Sequence, residues 1–198
     1  GFQGGLVPGV EVNAYMTHPI IHYFVNRWLQ NGNAECKFMT PVYDGEQTQV
    51  KAVKNDNSEL LIEVTTPTNF CAQGKAGMAK VKEICYRTDY ISIPSPDFES
   101  RPDASPDSLQ KSKSLGTFQQ VMTEEDQHKY LADIRENLTI YKDEKIVHPG
   151  WILRMANKAL STNVKLGPWI HVGSKIQNFG AAHYGLSLIH ISEPTRPR

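Results

Sequence analysis

The sequence predicts an α+β fold present as two tandem copies, and three observations carry that prediction. An apolar helical stretch, Val10 to Leu29, is followed by strand-like segments of alternating character. Residues Val7 to Tyr43 recur in register at His148 to Tyr184. A Pro- and Ser-rich stretch separates the two occurrences. A buried helix followed by an antiparallel meander is an α+β pattern. A repeat of this length matches a duplicated domain rather than a solenoid unit.

A shift of 141 positions superposes Pro8-Gly9 on Pro149-Gly150, Trp28 on Trp169, Gly32 on Gly173, Phe38 on Phe179 and Tyr43 on Tyr184. Composition alone would supply about two such matches. The kinds of residue therefore carry more weight than their number: Pro-Gly, Gly and aromatic positions mark turns and packing. The expected organisation is a first copy over 1–85, a linker over 86–115, a second copy over 116–185 and a tail over 186–198. The tail contains LSLIHISEPTR, which resembles a translated transposon adapter used in sequencing libraries, and is set aside from fold reasoning. Compared with each other, the first copy is short by roughly 26 residues at its start and the second lacks its last strands. The piece as it stands is expected to be inactive and poorly soluble, with unpaired sheet edges.

Each element has a local cause. The turn Pro8-Gly9 opens the helix and Asn31-Gly32 closes it. Val10, Val12, Tyr15, Met16, Ile20, Ile21, Phe24 and Trp28 cover nearly its whole circumference, as on a helix buried in a core. Pro19 should kink or break it. Strands are expected over Glu35–Val42, over Gln47–Lys54, and through Leu60, Ile62 and Val64. A bent strand over Cys71–Glu83 follows, with turns at Tyr43–Glu46 and Asn55–Ser58 between them. In the second half, Thr123–Asp126 reads as a capping box that starts a helix through Tyr130, Leu131 and Ile134. Trp151–Leu166 repeats the buried helix, with Trp169–Tyr184 as its following strand. Both Trp28 and Trp169 are expected in the core.

Composition excludes several function classes. With 21 basic and 21 acidic residues the formal charge is zero, so nothing electrostatic favours nucleic acid or an anionic membrane. No apolar run approaches the roughly 20 residues needed to span a bilayer. Cys36, Cys71 and Cys85 are odd in number and lack metal-ligand spacing, so reduced thiols and a cytoplasmic setting are expected.

Several stretches carry a resemblance. Phe38-Met39-Thr40-Pro41-Val42-Tyr43-Asp44-Gly45-Glu46 is similar to a post-helix strand with its acidic-Gly turn, and Val147-His148-Pro149-Gly150-Trp151 to a His-Gly turn opening a central helix. With the Thr123–Asp126 entry helix they resemble the MaoC-like double hot-dog family of acyl-CoA hydratases and dehydratases. The resemblance implies two hot-dog copies, each wrapping a long central helix in a curved antiparallel sheet, paired within one chain and open to homodimerisation. It implies an acyl-CoA thioester as substrate, held in a tunnel beside the central helix, with no cofactor. It also implies an Asp-x-Asn-Pro-x-His element between entry and central helices. The window Ala132–Val147 has Asp133, Asn137 and Asp143 but neither Asn-Pro nor a histidine.

His148 enters the second central helix at a turn that could aim backbone N–H groups at a thioester carbonyl. His148, Asn157 and His171 are the candidate catalytic residues, and Pro149, Gly150 and Trp151 the candidate substrate-binding ones. Each histidine could equally be a core group bonded to backbone. His18 and His22 have helical two-ligand spacing, but a metal needs three or four ligands and none is expected. They and Glu11 read as polar groups on the less buried side of the helix. The leading function is an enoyl-CoA hydratase or dehydratase-like lyase. The alternatives are a thioesterase using Glu11 or Asp44, and a non-catalytic acyl-CoA-binding or assembly subunit.

Overall fold

The computed structural model describes residues 4–79, 92–110, 114–185 and 187–190. It is a mixed α+β arrangement with an antiparallel sheet. In the first half, α1 (Gly9–Phe24) and α2 (Asn26–Asn31) lead into β1 (Gly32–Phe38). The meander β2 (Gln49–Lys54), β3 (Leu60–Thr65) and β4 (Phe70–Met78) follows. In the second half come β5 (Phe118–Val121), α3 (Glu124–Asp133), α4 (Ile140–Asp143), α5 (Pro149–Ser161), β6 (Gly173–Gln177) and β7 (Ser187–His190). Five strands form one sheet in the order β2-β3-β4-β1-β6, and β5 pairs β7 separately.

Sequence and structure differ in instructive places. α1 continues past Pro19, and the break falls instead at Val25, whose φ is 57°. A β-branched residue in the left-handed region is strained; here it turns the chain so that Trp28 and Leu29 still face inward. β3 shows the expected alternation, burying Leu60, Ile62 and Val64. β1 starts at Gly32 and ends at Phe38, earlier than expected, and β4 is described only as far as Met78. The linker has a short 3₁₀ turn at Phe98–Ser100 and a bridge from Asp103 to Lys165. The Thr123–Asp126 capping box forms with both of its bonds. Cys36 and Cys71 are free thiols, and Cys85 lies outside the described residues. Ser187–His190, part of the stretch set aside as foreign, pairs in register with Phe118–Val121.

The halves meet along two seams. β6 lies against β1, antiparallel, with Glu35 opposite Lys175, and their side chains pair at 3.6 Å. α1 packs on α5, where a Cβ on Gly150 would lie 2.6 Å from that of Ala14 and 2.5 Å from the Tyr130 hydroxyl. Backbone bonds also recur between the halves. Val7 N–H donates to Val42 O at 2.9 Å, and Val147 N–H to Ala182 O at 2.8 Å. Asp44 N–H donates to Gly5 O at 2.9 Å, and Tyr184 N–H to Lys145 O at 3.0 Å. Phe38 N–H donates to Val172 O at 3.0 Å, and Asn178 N–H to Gly32 O at 2.8 Å. Gly45 and Gly185, both with positive φ (82° and 86°), close matching turns. In all of these the corresponding positions are 140 apart, one fewer than the offset at which the Pro-Gly and Trp identities align.

That one-residue difference bears on the tryptophans. Trp28 is 1% exposed, packed in the core that α1 forms with β3 and β4, and its Nε1–H donates to Asn33 O at 3.0 Å. Trp169 is 49% exposed and stacks on His171. The expectation that both are core residues holds for Trp28 alone.

Candidate functional site

The entry segment of the second half builds the site. α3 ends at Asp133 with Ile134 as its C-cap, and Arg135 takes a φ of 56°, which reverses the chain and carries the Glu136 side chain inward. Glu136 Oε1 accepts from the N–H groups of Asn137 and Leu138, both at 2.8 Å, and pairs with His18 Nδ1, also at 2.8 Å. The Glu136 side chain is 2% exposed and that of His18 is 43% exposed, so the imidazole stands between the carboxylate and solvent. Burial by itself pushes the Glu136 carboxyl up; His148, the Leu138 N–H and His18 outweigh it and hold the group down at about 2.

His148 lies on the other side of this carboxylate, fully buried, with Nε2 at 3.7 Å from Oε2. Its Nδ1 accepts from the Gly150 N–H at 3.0 Å, capping α5. A nitrogen that accepts carries no proton, so the neutral ring bears its hydrogen on Nε2, towards Glu136. Burial lowers the His148 pKa, against the opposing pull of Glu136, and favours that neutral form. The rings of Tyr141 and Tyr130 flank it with centroids at 4.7 and 5.6 Å. Gln127 of α3 donates to Ile146 O at 2.8 Å and so fixes the segment entering the turn.

His18 and Glu136 open onto a cavity of about 690 Å³. Its walls come from α1 (Ala14, Tyr15), the turn after β1 (Asp44, Thr48), the end of α3 (Asp133) and the loop after it (Arg135, Asn137). A separate groove of about 720 Å³ crosses the sheet at the β1–β6 seam and holds no histidine.

The sequence candidates do not gather in one place. His148 touches Glu136 and the two tyrosines. His171 instead bonds Gly173 O at 2.9 Å and Ser174 Oγ at 2.7 Å, and packs on Phe38 beside Gly9. Burial lowers its pKa. Asn157 is half-buried on α5. Pro149, Gly150 and Trp151 are all buried, and the two N–H groups of the turn are already used: Gly150 by His148 Nδ1 and Trp151 by His148 O at 3.0 Å. The turn is a completed helix cap rather than an open donor pair.

Two further readings change. Glu11 is buried, with Oε1 bound by Arg154 Nε at 2.8 Å and Nη2 at 2.7 Å. His22 is exposed whereas His18 is committed to Glu136, so the two do not converge. The pair that sequence reasoning missed is His18 with Glu136. No local spacing signals it, because the two residues lie 118 positions apart in the chain.

Comparison with solved structures finds similar folds. One is a MaoC-like dehydratase, at 11% identity and TM-score 0.47, covering 82% of this chain and 65% of the other. A second is the full-length peroxisomal multifunctional enzyme type 2 from Drosophila melanogaster, at 11% identity and TM-score 0.49, covering 90% of this chain and 34% of that one. A third is a tesB protein from Mycobacterium avium subs paratuberculosis, at 15% identity and TM-score 0.35, covering 59% of this chain and 43% of that one. This chain thus spans less than two thirds of the length of the first two. No established protein family matches the sequence, and no curated protein does.

Proposed function

We propose that the chain is a tandem hot-dog protein whose two copies pair to form an acid–base site for adding water to, or removing it from, an enoyl thioester. The copies run over 1–85 and 116–185, joined by the linker over 86–115. The observation that carries the activity is the carboxylate-held imidazole of His18 on the wall of the 690 Å³ cavity. One copy supplies the imidazole and the other the carboxylate.

The chemistry follows from the tautomer. With Nδ1–H donated to Glu136, His18 keeps a free lone pair on Nε2 and acts as general base on a water molecule. The water oxygen bonds to the β-carbon as one of its protons passes to Nε2. The electron pair of the carbon–carbon double bond moves to the α-carbon and thioester oxygen as an enolate. Proton return from the imidazolium to the α-carbon completes addition of one water and restores the neutral base. Arg135, on the same cavity, offers positive charge to the enolate oxygen. Dehydration is the same path reversed.

The test is to incubate the full chain with crotonyl-CoA and follow loss of the enoyl absorbance. Against the inactivity expected from the sequence, loss is expected in the native chain because His18 and Glu136 share one cavity, with a fall of about a hundredfold or more in His18→Ala and Glu136→Gln, the scale of general acid–base catalysis. Release of free thiol without enoyl loss would instead indicate a thioesterase, with Asp44 on the same cavity as the candidate group. Neither signal, with acyl-CoA still bound, would indicate a non-catalytic carrier.

A further inference from the structure

We infer that the site takes a short acyl group ending in a hydroxyl or ammonium group, and not a long hydrocarbon chain. This rests on the proposed thioester chemistry and concerns what the acyl group must be.

Two observations lead there. A long alkyl tail needs an apolar channel beside the central helix, and among the described residues the space between α1 and the sheet is filled. Met16, Ile20, Ile21 and Phe24 are all buried against the sheet. The void left between α1 and the sheet, beside Met16 and Ile62, is about 10 Å³. That is the room of a single water at most. With its reacting carbons at His18, the acyl group therefore lies in the His18 cavity and not beside α1.

The walls of that cavity are polar. Asp44, Glu46 and Asp133 stand around it with Gln47, Thr48 and Asn137, and Arg135 is the permanent cation among its lining residues. Burial pushes the Tyr15 hydroxyl pKa up, with Glu11 and Asp44 adding to the shift and Arg135 opposing it. Carboxylates outnumber guanidinium here, which repels a substrate carboxylate and favours a hydroxyl donor or a cation. Burying an alkyl chain against these groups would strip their water without replacing the lost bonds.

The experiment compares crotonyl-CoA, γ-hydroxycrotonyl-CoA and decenoyl-CoA as substrates of the full chain. In parallel, calorimetry measures binding of butyryl-CoA, γ-hydroxybutyryl-CoA and decanoyl-CoA. We expect kcat/KM highest for the hydroxylated substrate, and lower by at least about tenfold for decenoyl-CoA, with affinities in the same order. Asp44→Leu, a change at an exposed turn, should narrow or reverse that order. Equal or better use of decenoyl-CoA, or tightest binding of decanoyl-CoA, overturns the inference. Loss of all turnover with the hydroxylated ligand still bound best overturns the hydratase chemistry but leaves the acyl preference standing.

Discussion

Glu136 sets the behaviour of the site. It gathers two imidazoles and two backbone donors on one buried carboxylate, and its pKa of about 2 lies below the ordinary 4.5. A carboxyl depressed on folding contributes stability above its unfolded pKa and loses it as pH falls towards the folded value. His148 acts in the same direction. Its folded pKa lies below 6.5, so the unfolded chain binds the proton more readily and stability declines as pH falls below that value. The denaturant midpoint should therefore drop from neutral pH towards pH 4.5, and further below it. His148→Asn can still cap Gly150, since asparagine is a good helix N-cap, and should flatten the upper part of that decline. Gly150→Ala is a second test at this scale. The added methyl meets the Tyr130 hydroxyl and Ala14, so overpacking should cost about 1–3 kcal/mol by urea unfolding.

Among the elements, the tryptophans following the two long helices make a direct comparison. Trp28→Ala removes a buried ring and should cost about 3–5 kcal/mol. Trp169→Ala removes a half-exposed one and should change stability by less than about 0.5 kcal/mol. Equal losses would mean that Trp169 is covered in solution. The capping box gives a smaller check, with Thr123→Ala expected to cost about 1 kcal/mol at the start of α3. Such features were legible because they are local: alternation in β3, apolar cover on α1 and the cap of α3 each follow from neighbouring residues. Pro19 misled because it marks a potential break, whereas the actual break at Val25 depends on seating Trp28 and Leu29 beneath the sheet.

For the whole molecule, the seam between β1 and β6 is decisive. Cys36 and Ser174 are direct antiparallel partners across the seam. Ser174→Cys should therefore close a disulfide with Cys36 under mild oxidation, seen as a faster-migrating band that reductant reverses. Closing so long a loop should stabilise the fold by about 2–4 kcal/mol. Failure to cross-link would place the halves otherwise than side by side. No helix among the described residues is long and apolar enough to cross a membrane.

The sequence by itself determined the helix of α1, the alternation of β3 and the helix cap at Thr123, because periodicity and capping act over a few residues. It placed His148 at a helix entrance but could not show that the cap consumes the donors of that turn. Only the tertiary structure joined His18 to Glu136, residues 118 apart in the chain, and placed both on one cavity. The reason is physical: pairing across such a distance depends on how α1 and the loop after α3 pack, and no local pattern encodes that packing.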